Sequence, residues 1–478
     1  MTVSTARCKN IMESCFELYG MNRMGRMVTT SRSLFFLLLL SLLFFCFTLA
    51  ALLPIAAAAE HDAVVKRLQE YLRIQTAHPD PDYTLVSDFL LSQATSVGLE
   101  ARSWEFVKEK PVILLSWNGT QPSLPSLLLN SHTDVVPAQK EKWIYHPFSA
   151  TQDAEGNIYG RGSQDTKSLG MQYLEAIRNL KAQGFKPARP IHVSFVPDEE
   201  IGGKDGMGAF VTSREFQDLN VGIAMDEGLA SSQESYNIYF QERSAWKLII
   251  KATGAPGHGS KMYDNSAFQN LITSLQTIYS FRESQIELLR SAARLEGEII
   301  SINNVYLKAG TPTPTGFVMN LQPSEAEAGF DIRVPPSADL GDLWRRIREE
   351  WAPASCNLTY TFTQSDPQDK GLSTQGTSRD DLQPWWALLK EAVYKANRTL
   401  GDLVIRPSAT DARYLRNMGI PAFCFSPIAN TPSLLHDHNE FLNVAEYIKG
   451  IAVYEEIVRA FASYADPVDF NQPVHCNH

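Results

Sequence analysis

Short apolar runs that end in polar clusters recur along this chain of 478 residues. The run Leu127–Leu129 precedes one such cluster, and the run Ile191–Val196 precedes another. Runs of this kind, ended by polar residues, glycine or proline, predict buried strands that lead into loops. Ligands of open α/β sheets bind in loops beyond the carboxyl ends of the strands, so the pattern predicts an α/β fold with a site at that edge. The polar clusters are Ser131–Asp134, Gly160–Asp165, Pro197–Glu200, Met225–Gly228 and His436–Glu440.

The same pattern indicates two domains, one inserted into the other. In the first half of the chain the predicted strands alternate with helices such as 168–181, whose apolar residues recur at three- and four-residue steps. The predicted order then becomes strand–helix–strand–strand–helix–strand, which indicates an α+β, ferredoxin-like insertion. The polar clusters stop at Glu227 and resume near His436, a gap that an insertion explains better than two domains in tandem. The predicted domains are a catalytic domain of 60–238 and 353–465, a lid of 239–352 and a tail of 466–478.

Composition is typical of a globular protein. Hydrophobic residues make up 44% of the chain and charged residues 20%, and its length exceeds the ~100–200 residues of an ordinary domain. The net charge of −10 argues against a nucleic-acid partner, because phosphates attract basic surfaces. His192 lies within an apolar run and is interpreted as a core residue. Beyond the N-terminal segment only three cysteines remain, too few for a disulfide framework, although one bridge stays open among Cys356, Cys424 and Cys476.

The N-terminal segment 1–59 has the pattern of a targeting signal. Basic residues up to Arg32 precede an apolar run at 34–53, which is followed by four alanines at 56–59. The apolar run exceeds the usual ~7–15 residues and approaches the ~20 that span a bilayer, so an uncleaved signal anchor is an open alternative to a cleaved signal peptide. Either way we expect the catalytic domain in the lumen of the secretory pathway. The glycosylation sequons that permit this location begin at Asn118, Asn357 and Asn397.

The polar clusters supply the residue types that hold a pair of zinc ions. Zinc accepts histidine nitrogen and carboxylate oxygen, and a two-metal site needs a bridging carboxylate with further ligands on each side. Three carboxylates would offset most of the charge of two divalent ions. In two clusters a neighbour competes for the role of ligand, Asp226 with Glu227 and His438 with His436. The candidate ligands are His132, Asp165, Glu200, Glu227 and His436.

Two further residues stand beside these ligands. Asp134 follows His132 by two positions, and its carboxylate is expected to accept the second ring proton of that histidine, which fixes the metal-binding tautomer. Glu199 precedes Glu200 in a turn after a strand, so the two side chains point in different directions. Glu199 is therefore predicted as the general base that takes a proton from water and delivers it to the leaving nitrogen.

The clusters are similar, in sequence and in order, to the motifs of the di-zinc aminoacylase, carboxypeptidase G and dipeptidase family of amidohydrolases. The similarity covers about residues 60–465, where the motifs read SHTDVVP, GRGSQD, FVPDEE, MDEG, GAPGHGS and HDHNE. It implies a di-zinc exopeptidase-type catalytic domain with an inserted lid that dimerises, Glu199 as the base and Asp134 as the partner of His132. The implied metal ligands are His132 and Glu227 for one zinc ion, Glu200 and His436 for the other, and Asp165 as the bridge.

The resemblance also implies roles for residues of the lid. His258 matches the histidine that members of the family supply to the active site of the neighbouring subunit, where it donates a hydrogen bond to the tetrahedral oxyanion. Asn320 and Arg333 match the lid residues that hold the carboxylate of the substrate, for which arginine offers a bidentate grip. A homodimer with two zinc ions per subunit is therefore expected.

Hydrolysis of an N-acyl-L-amino acid to a carboxylate and a free L-amino acid is the activity that the resemblance implies first. A dipeptidase or another deacylase of the same family would share the site chemistry and differ only in the shape of its pocket. A membrane-anchored, non-catalytic binding protein is the alternative of another class. The presence of Glu199 and of all five candidate ligands favours an enzyme. The ligand types suit zinc, cobalt and manganese alike.

Overall fold

The structure is a computed structural model that describes residues 61–363, 376–379 and 384–465. The chain from Val65 onward forms one compact unit that contains both large sheets. The predicted targeting segment with its apolar run 34–53 and the predicted tail 466–478 lie outside the described residues. Among the described residues no helix is both long and apolar enough to cross a membrane.

The core of the catalytic domain is an eight-stranded mixed sheet. Three buried strands at its centre run parallel, with Ser126–His132 between Ile191–Val196 and Val221–Asp226. Parallel strands that are buried on both faces have continuous apolar sequences, as these three do, and their carboxyl ends meet at one edge. In spatial order the sheet consists of Glu100–Val107, Lys110–Trp117, Ile191–Val196, Ser126–His132, Val221–Asp226, Ala422–Cys424, Tyr236–Glu242 and Leu400–Arg406.

Helices cover both faces of this sheet. The helix Lys167–Ala182, predicted at 168–181, packs against the last helix Val444–Ser463, where the rings of Tyr173 and Tyr454 meet edge to face with centroids 4.7 Å apart. Shorter helices pack on the opposite face around a separate buried cluster that includes Leu128. Further helices of the domain are Tyr83–Val97, Ala209–Val211, Arg214–Gln217, Pro384–Lys395 and Ala412–Asn417.

The lid is a four-stranded antiparallel sheet packed against helices. In its strand Ser244–Thr253 the side chains of Trp246, Leu248 and Ile250 are buried and alternate with more exposed neighbours, as in a sheet with one covered face. The strand–helix–strand–strand–helix–strand order is the predicted one, and the α/β fold with an α+β insertion is confirmed. Its elements are Ser244–Thr253, Ala267–Arg290, Ser301–Ala309, Glu325–Val334, Leu340–Arg345 (continued by Arg346–Trp351) and Leu358–Thr363.

The sheets divide at different residues from the predicted lid boundaries of 239 and 352. Tyr236–Glu242 pairs with Leu400–Arg406 and therefore belongs to the central sheet. Leu358–Thr363 pairs with Ser244–Thr253 and is the last strand of the lid. The lid thus extends from Ser244 at least to Thr363. An apolar run predicts that a strand exists, but its partners in the sheet are chosen by contacts that are distant along the chain, so the sequence pattern misplaced both ends.

Both cysteines of the described residues are free thiols. Cys356 is exposed in the lid, and Cys424 is buried at the end of a central strand. The bridge that the sequence left open is therefore not formed between these two, and Cys476 lies outside the described residues.

His192 lies in the buried strand Ile191–Val196, and its ring nitrogen Nδ1 is 2.8 Å from the hydroxyl of Ser116. Burial lowers the pKa of His192 to about 4, with a smaller contribution from the charge of Arg102. The folded chain therefore keeps this ring neutral at pH values where the unfolded chain protonates it.

We expect His192 to contribute to acid destabilisation between pH 6.5 and about 4. In that window the unfolded state binds a proton that the folded state does not, so the free energy of unfolding falls as the pH falls. A His192→Phe variant cannot bind this proton. Between pH 7 and pH 4 its free energy of unfolding should therefore decrease by about 3 kcal/mol less than that of the wild type. Thermal unfolding of both proteins from pH 7 to pH 4 measures the difference, and parallel curves would contradict it.

Candidate metal centre

The predicted ligands converge at the carboxyl edge of the central sheet. His132 is the last residue of its strand, and Glu227 directly follows the strand Val221–Asp226. Glu199 and Glu200 lie in a turn shortly after Ile191–Val196. Because these three strands are parallel neighbours, their exits bring the side chains into one region.

Five side chains form two groups that share Asp165. In the first group the Nε2 atom of His132 lies 3.1 Å from Oδ1 of Asp165 and 3.7 Å from Oε2 of Glu227. In the second group the Nε2 atom of His436 lies 3.1 Å from Oδ2 of Asp165 and 2.9 Å from Oε2 of Glu200. Each oxygen of Asp165 thus faces a different group, which is the arrangement of a bridging carboxylate.

The geometry distinguishes the competing neighbours that the sequence left open. Only one oxygen of the Asp226 carboxylate, Oδ1, accepts hydrogen bonds, from Asn130 at 3.1 Å and from the backbone N–H of Glu227 at 2.9 Å. What separates Asp226 from Glu227 is position, because Asp226 lies outside both groups. The described groups contain Glu227 rather than Asp226, and His436 rather than His438.

The groups fit divalent cations. Oε1 of Glu200 and Oε2 of Glu227 are buried without a hydrogen-bond partner in the described structure. Burial raises the pKa of both carboxyl groups. Buried carboxylate oxygens without a donor are costly unless a cation compensates them, and histidine with carboxylate is a common ligand set for zinc, cobalt and manganese.

Glu440 holds the loop that carries Asp165. Its Oε1 accepts the backbone N–H groups of Gln164, at 2.6 Å, and of Asp165, at 3.2 Å. Its Oε2 accepts the N–H of Gly162, at 3.1 Å, and pairs with Arg161 at 2.8 Å. The sequence placed Glu440 in a polar cluster with a ligand but gave no indication of this role.

Asp134 contacts His132, as predicted, but through its backbone carbonyl rather than its carboxylate. The Nδ1 atom of His132 donates to the backbone carbonyl of Asp134 at 2.8 Å, whereas the carboxylate lies 3.6 Å away. That carboxylate instead accepts the backbone N–H groups of Glu199 and Glu200, both at 3.1 Å. A main-chain oxygen therefore fixes the expected tautomer of His132. The turn brings both the carbonyl and the carboxylate of Asp134 near the ring, and the carbonyl is the closer of the two.

Glu199 lies beside the ligands in a cavity of about 850 Å³. Burial raises the pKa of Glu199 to about 7, although the neighbouring charges of His132 and Arg413 act in the opposite direction. Nη1 of Arg413 is 3.7 Å from the Glu199 carboxylate. A carboxyl group with a pKa near neutrality is suited to accept and release a proton.

Arg406 is a residue of the site that the sequence did not reveal. Its guanidinium is buried, and Nη2 lies 3.3 Å from Oε1 of Glu227, the oxygen that does not face His132. The positive charge is therefore next to one ligand and fixes which oxygen of that ligand faces the metal groups. No motif precedes Arg406 in the sequence, and only the pairing of its strand with Tyr236–Glu242 brings it here.

The lid residues fall into two sets. Arg333 lines the cavity, and its guanidinium is oriented by Asp331 at 2.8 and 3.0 Å. His258 is exposed and lies close to Asn320, because the N–H of Gly259 donates to the carbonyl of Asn320 at 2.7 Å. Neither His258 nor Asn320 is among the described residues that line the cavity of their own chain.

Comparison with known proteins agrees with this geometry. The profile of peptidase family M20/M25/M40 matches residues 128–460. Aminoacylase-1 from Sus scrofa is 42% identical over 404 residues, which cover 84% of this chain and 96% of that protein. Aminoacylase-1 from Dictyostelium discoideum is 41% identical over 408 residues, which cover 84% of this chain and 97% of that protein.

The fold is also that of solved structures. An M20 family metallo-carboxypeptidase from Sulfolobus solfataricus superposes with a TM-score of 0.66 at 17% identity, covering 84% of this chain and 99% of that one. At 17% identity this similarity concerns the fold alone, whereas the aminoacylase-1 relatives are similar in sequence as well. The chain therefore belongs to peptidase family M20/M25/M40.

Proposed function

We propose that this protein is a metal-dependent amidohydrolase that cleaves N-acyl-L-amino acids to a carboxylate and a free L-amino acid. The observation that carries the proposal is the pair of histidine–carboxylate groups sharing Asp165, with Glu199 beside them in one cavity. The relatives named aminoacylase-1, at 41–42% identity, support this substrate class over the dipeptidase alternative. The non-catalytic binding protein is disfavoured, because Glu199 and all five candidate ligands are retained.

The proposed cofactor is a pair of zinc ions in each subunit. His132 and Glu227 would hold one ion and Glu200 and His436 the other, with Asp165 between them. When bound, such ions act as Lewis acids that polarise an amide carbonyl and make water easier to deprotonate. The buried carboxylate oxygens without hydrogen-bond partners support a cation in each group.

Glu199 would move the proton. Its carboxylate takes a proton from the attacking water and passes it to the nitrogen that leaves with the amino acid. The low exposure of its side chain, 11%, keeps bulk water from competing, and Arg413 at 3.7 Å limits the directions in which the carboxylate can turn. The carboxylate of Asp134 accepts the backbone N–H of Glu199 and so helps to hold Glu199 in position.

The lid would hold the carboxylate end of the substrate. Arg333 lines the cavity, and its two bonds to Asp331 orient the guanidinium plane. A planar guanidinium can bind a carboxylate with two parallel hydrogen bonds. Asn320 is proposed as a second donor, delivered together with His258.

A second subunit would complete the site. The lid strand Ser301–Ala309 pairs with Glu325–Val334 on one side, and its other edge has no partner among the described residues. Val305 and Leu307 on that strand are 62% and 61% exposed. An exposed apolar edge strand is a liability unless another chain covers it, which supports a homodimer through the lid. His258 would then reach the partner's cavity and donate to the oxyanion.

The N-terminal segment is proposed to direct the protein into the secretory pathway, as a cleaved signal peptide or as an anchor through 34–53. Its basic and apolar pattern supports this location. The three sequon asparagines, which are all exposed, are accessible to glycosylation and add support: Asn118, Asn357 and Asn397.

Glu199→Gln should lower kcat for N-acetyl-L-methionine by about 10²- to 10⁴-fold, because the amide cannot accept the proton. The metal content and KM should stay near wild type. Glu234→Gln removes an exposed carboxylate outside the cavity and should keep full activity. Steady-state kinetics of the full-length proteins decide the matter, and wild-type turnover by Glu199→Gln would refute the assignment of the base.

His436→Ala should lower the metal content from about two divalent ions per chain to about one, because one group loses its histidine while the other is intact. The matched control is His438→Ala, in the same motif but outside both groups, which should keep both ions. Elemental analysis after dialysis gives the content and identifies the metal. Equal metal loss in the two variants would contradict the ligand assignment.

Two variant chains, one carrying His258→Ala and the other Glu199→Gln, should each be inactive alone. When the two chains are coexpressed, activity should be restored. A mixed dimer has one site with an intact Glu199 that receives His258 from the partner, so random pairing should recover about a quarter of wild-type activity. If isolated mixed dimers show no activity, His258 acts in the site of its own chain or in no site.

A further inference from the structure

A third histidine–carboxylate group lies behind the turn that carries Glu199. It consists of His78, Asp134 and Asp198. The Nε2 atom of His78 is 2.9 Å from Oδ2 of Asp134 and 4.0 Å from Oδ1 of Asp198. Asp198 directly precedes Glu199 and has a left-handed backbone conformation with φ of 65°.

Protein donors and the positive charge of Lys110 already contact both carboxylates of this group, which argues against a third metal ion. Both oxygens of Asp134 accept backbone N–H groups from the turn, and Oδ2 also contacts His78. Asp198 pairs with the ammonium group of Lys110 and accepts a hydrogen bond from the hydroxyl of Tyr83 at 2.6 Å. Because these donors approach the two carboxylates from several directions, the group is suited to hold the turn that carries Glu199 in a fixed position.

The backbone fixes His78 in place beside Asp134. Thr76 and His78 exchange hydrogen bonds with Val135, the N–H of Val135 donating at 2.9 Å and the N–H of His78 at 3.1 Å. Ala77 and Val135 form a parallel bridge at the same point. The ring therefore approaches Asp134 from a short paired segment rather than from a free loop. The hydrogen bond to Asp134 raises the pKa of His78, consistent with a proton on the ring that is donated to the carboxylate.

Tyr83 supports the other end of the turn. Its hydroxyl donates to the carboxylate of Asp198 and accepts the backbone N–H of the same residue at 3.1 Å. This double contact holds both the side chain and the main chain of the residue before Glu199. Tyr83 is itself buried, as the first residue of the helix Tyr83–Val97.

Given the amidohydrolase function proposed above, we propose that His78 and Tyr83 are positioning residues that hold Glu199 in its reactive orientation. His78 acts through the carboxylate of Asp134 on the N–H groups of Glu199 and Glu200, and Tyr83 acts through Asp198. Neither His78 nor Tyr83 is among the described residues that line the cavity, so the role assigned to them is positioning rather than catalysis. We call the segment 76–83 the strap, because it contacts the turn that carries Glu199 through His78 and Tyr83.

Paired substitutions of His78 test the proposal. His78→Leu removes the donor, whereas His78→Gln can still donate an N–H from a similar position. In the metal-loaded full-length protein, His78→Leu should lower kcat by about 10- to 100-fold with little change in KM, and His78→Gln should recover most of the rate. Tyr83→Phe, which loses only the hydroxyl, should lower kcat in the same direction.

A second readout does not depend on turnover. Deuterium exchange of the peptide 197–203 reports the N–H groups of Glu199 and Glu200 directly. Exchange in this peptide should be faster in His78→Leu than in wild type, and close to wild type in His78→Gln. The control is His192→Leu, another buried histidine with a single hydroxyl contact, which should leave kcat and the exchange of this peptide unchanged.

The outcomes are distinct. Equal losses in His78→Leu and His78→Gln, or unchanged exchange and kcat in His78→Leu, would overturn the positioning role. If His78→Leu does not fold, His78→Gln and Tyr83→Phe carry the test, and wild-type kcat in Tyr83→Phe would refute its part. A wild-type protein that cleaves no N-acyl amino acid would refute the proposed function, while the exchange experiment would still decide whether the strap holds the turn.

Discussion

The contact between the Glu440 carboxylate and the loop Arg161–Asp165 is the interaction on which the metal centre depends. Glu440 accepts three backbone N–H groups from this loop and pairs with Arg161, all in a buried environment. A buried carboxylate is tolerated only when donors replace its water, and removing one partner of such a pair leaves an uncompensated charge. The contact fixes Asp165, which both ligand groups share, relative to the segment that carries His436. One buried anion therefore sets the distance between the two halves of the centre.

Protein groups hold several other residues of the site in a similar way. The carboxylate of Asp134 collects the N–H groups of Glu199 and Glu200, and the backbone carbonyl of Asp134 orients His132. Arg406 occupies the outer oxygen of Glu227. Carboxylates gather at this edge because parallel strands end there, and their mutual repulsion is balanced by main-chain dipoles, by arginine and, in the proposed enzyme, by metal ions. The side chains of the site are thus held in place by main-chain groups and by buried charged side chains.

Sequence reasoning succeeded where chemistry and strand ends coincide. His132, Glu199, Glu200 and Glu227 follow apolar runs, so their convergence could be predicted from the pattern and from parallel pairing. It failed where the partner is remote or the choice is geometric. His78 lies 56 positions before Asp134, with no signal that the two meet, and the spacing of His132 and Asp134 allows either the carbonyl or the carboxylate as acceptor. The lid strand Leu358–Thr363 is amphipathic and short, and only its pairing with Ser244–Thr253 assigns it to the lid.

Asp165 and Glu440 are 275 positions apart, and the whole lid is inserted between them. A ribosome must therefore synthesise nearly the entire folded region before the loop of Asp165 finds its anchor. Contacts of such long sequence separation form late, because the entropy of closing the intervening chain must be overcome first. Chains that stop short, within the lid or soon after it, retain the first strands but lack both Glu440 and His436. In this architecture the two candidate metal groups are completed only at the end of synthesis, so an incomplete chain cannot become a partly active hydrolase.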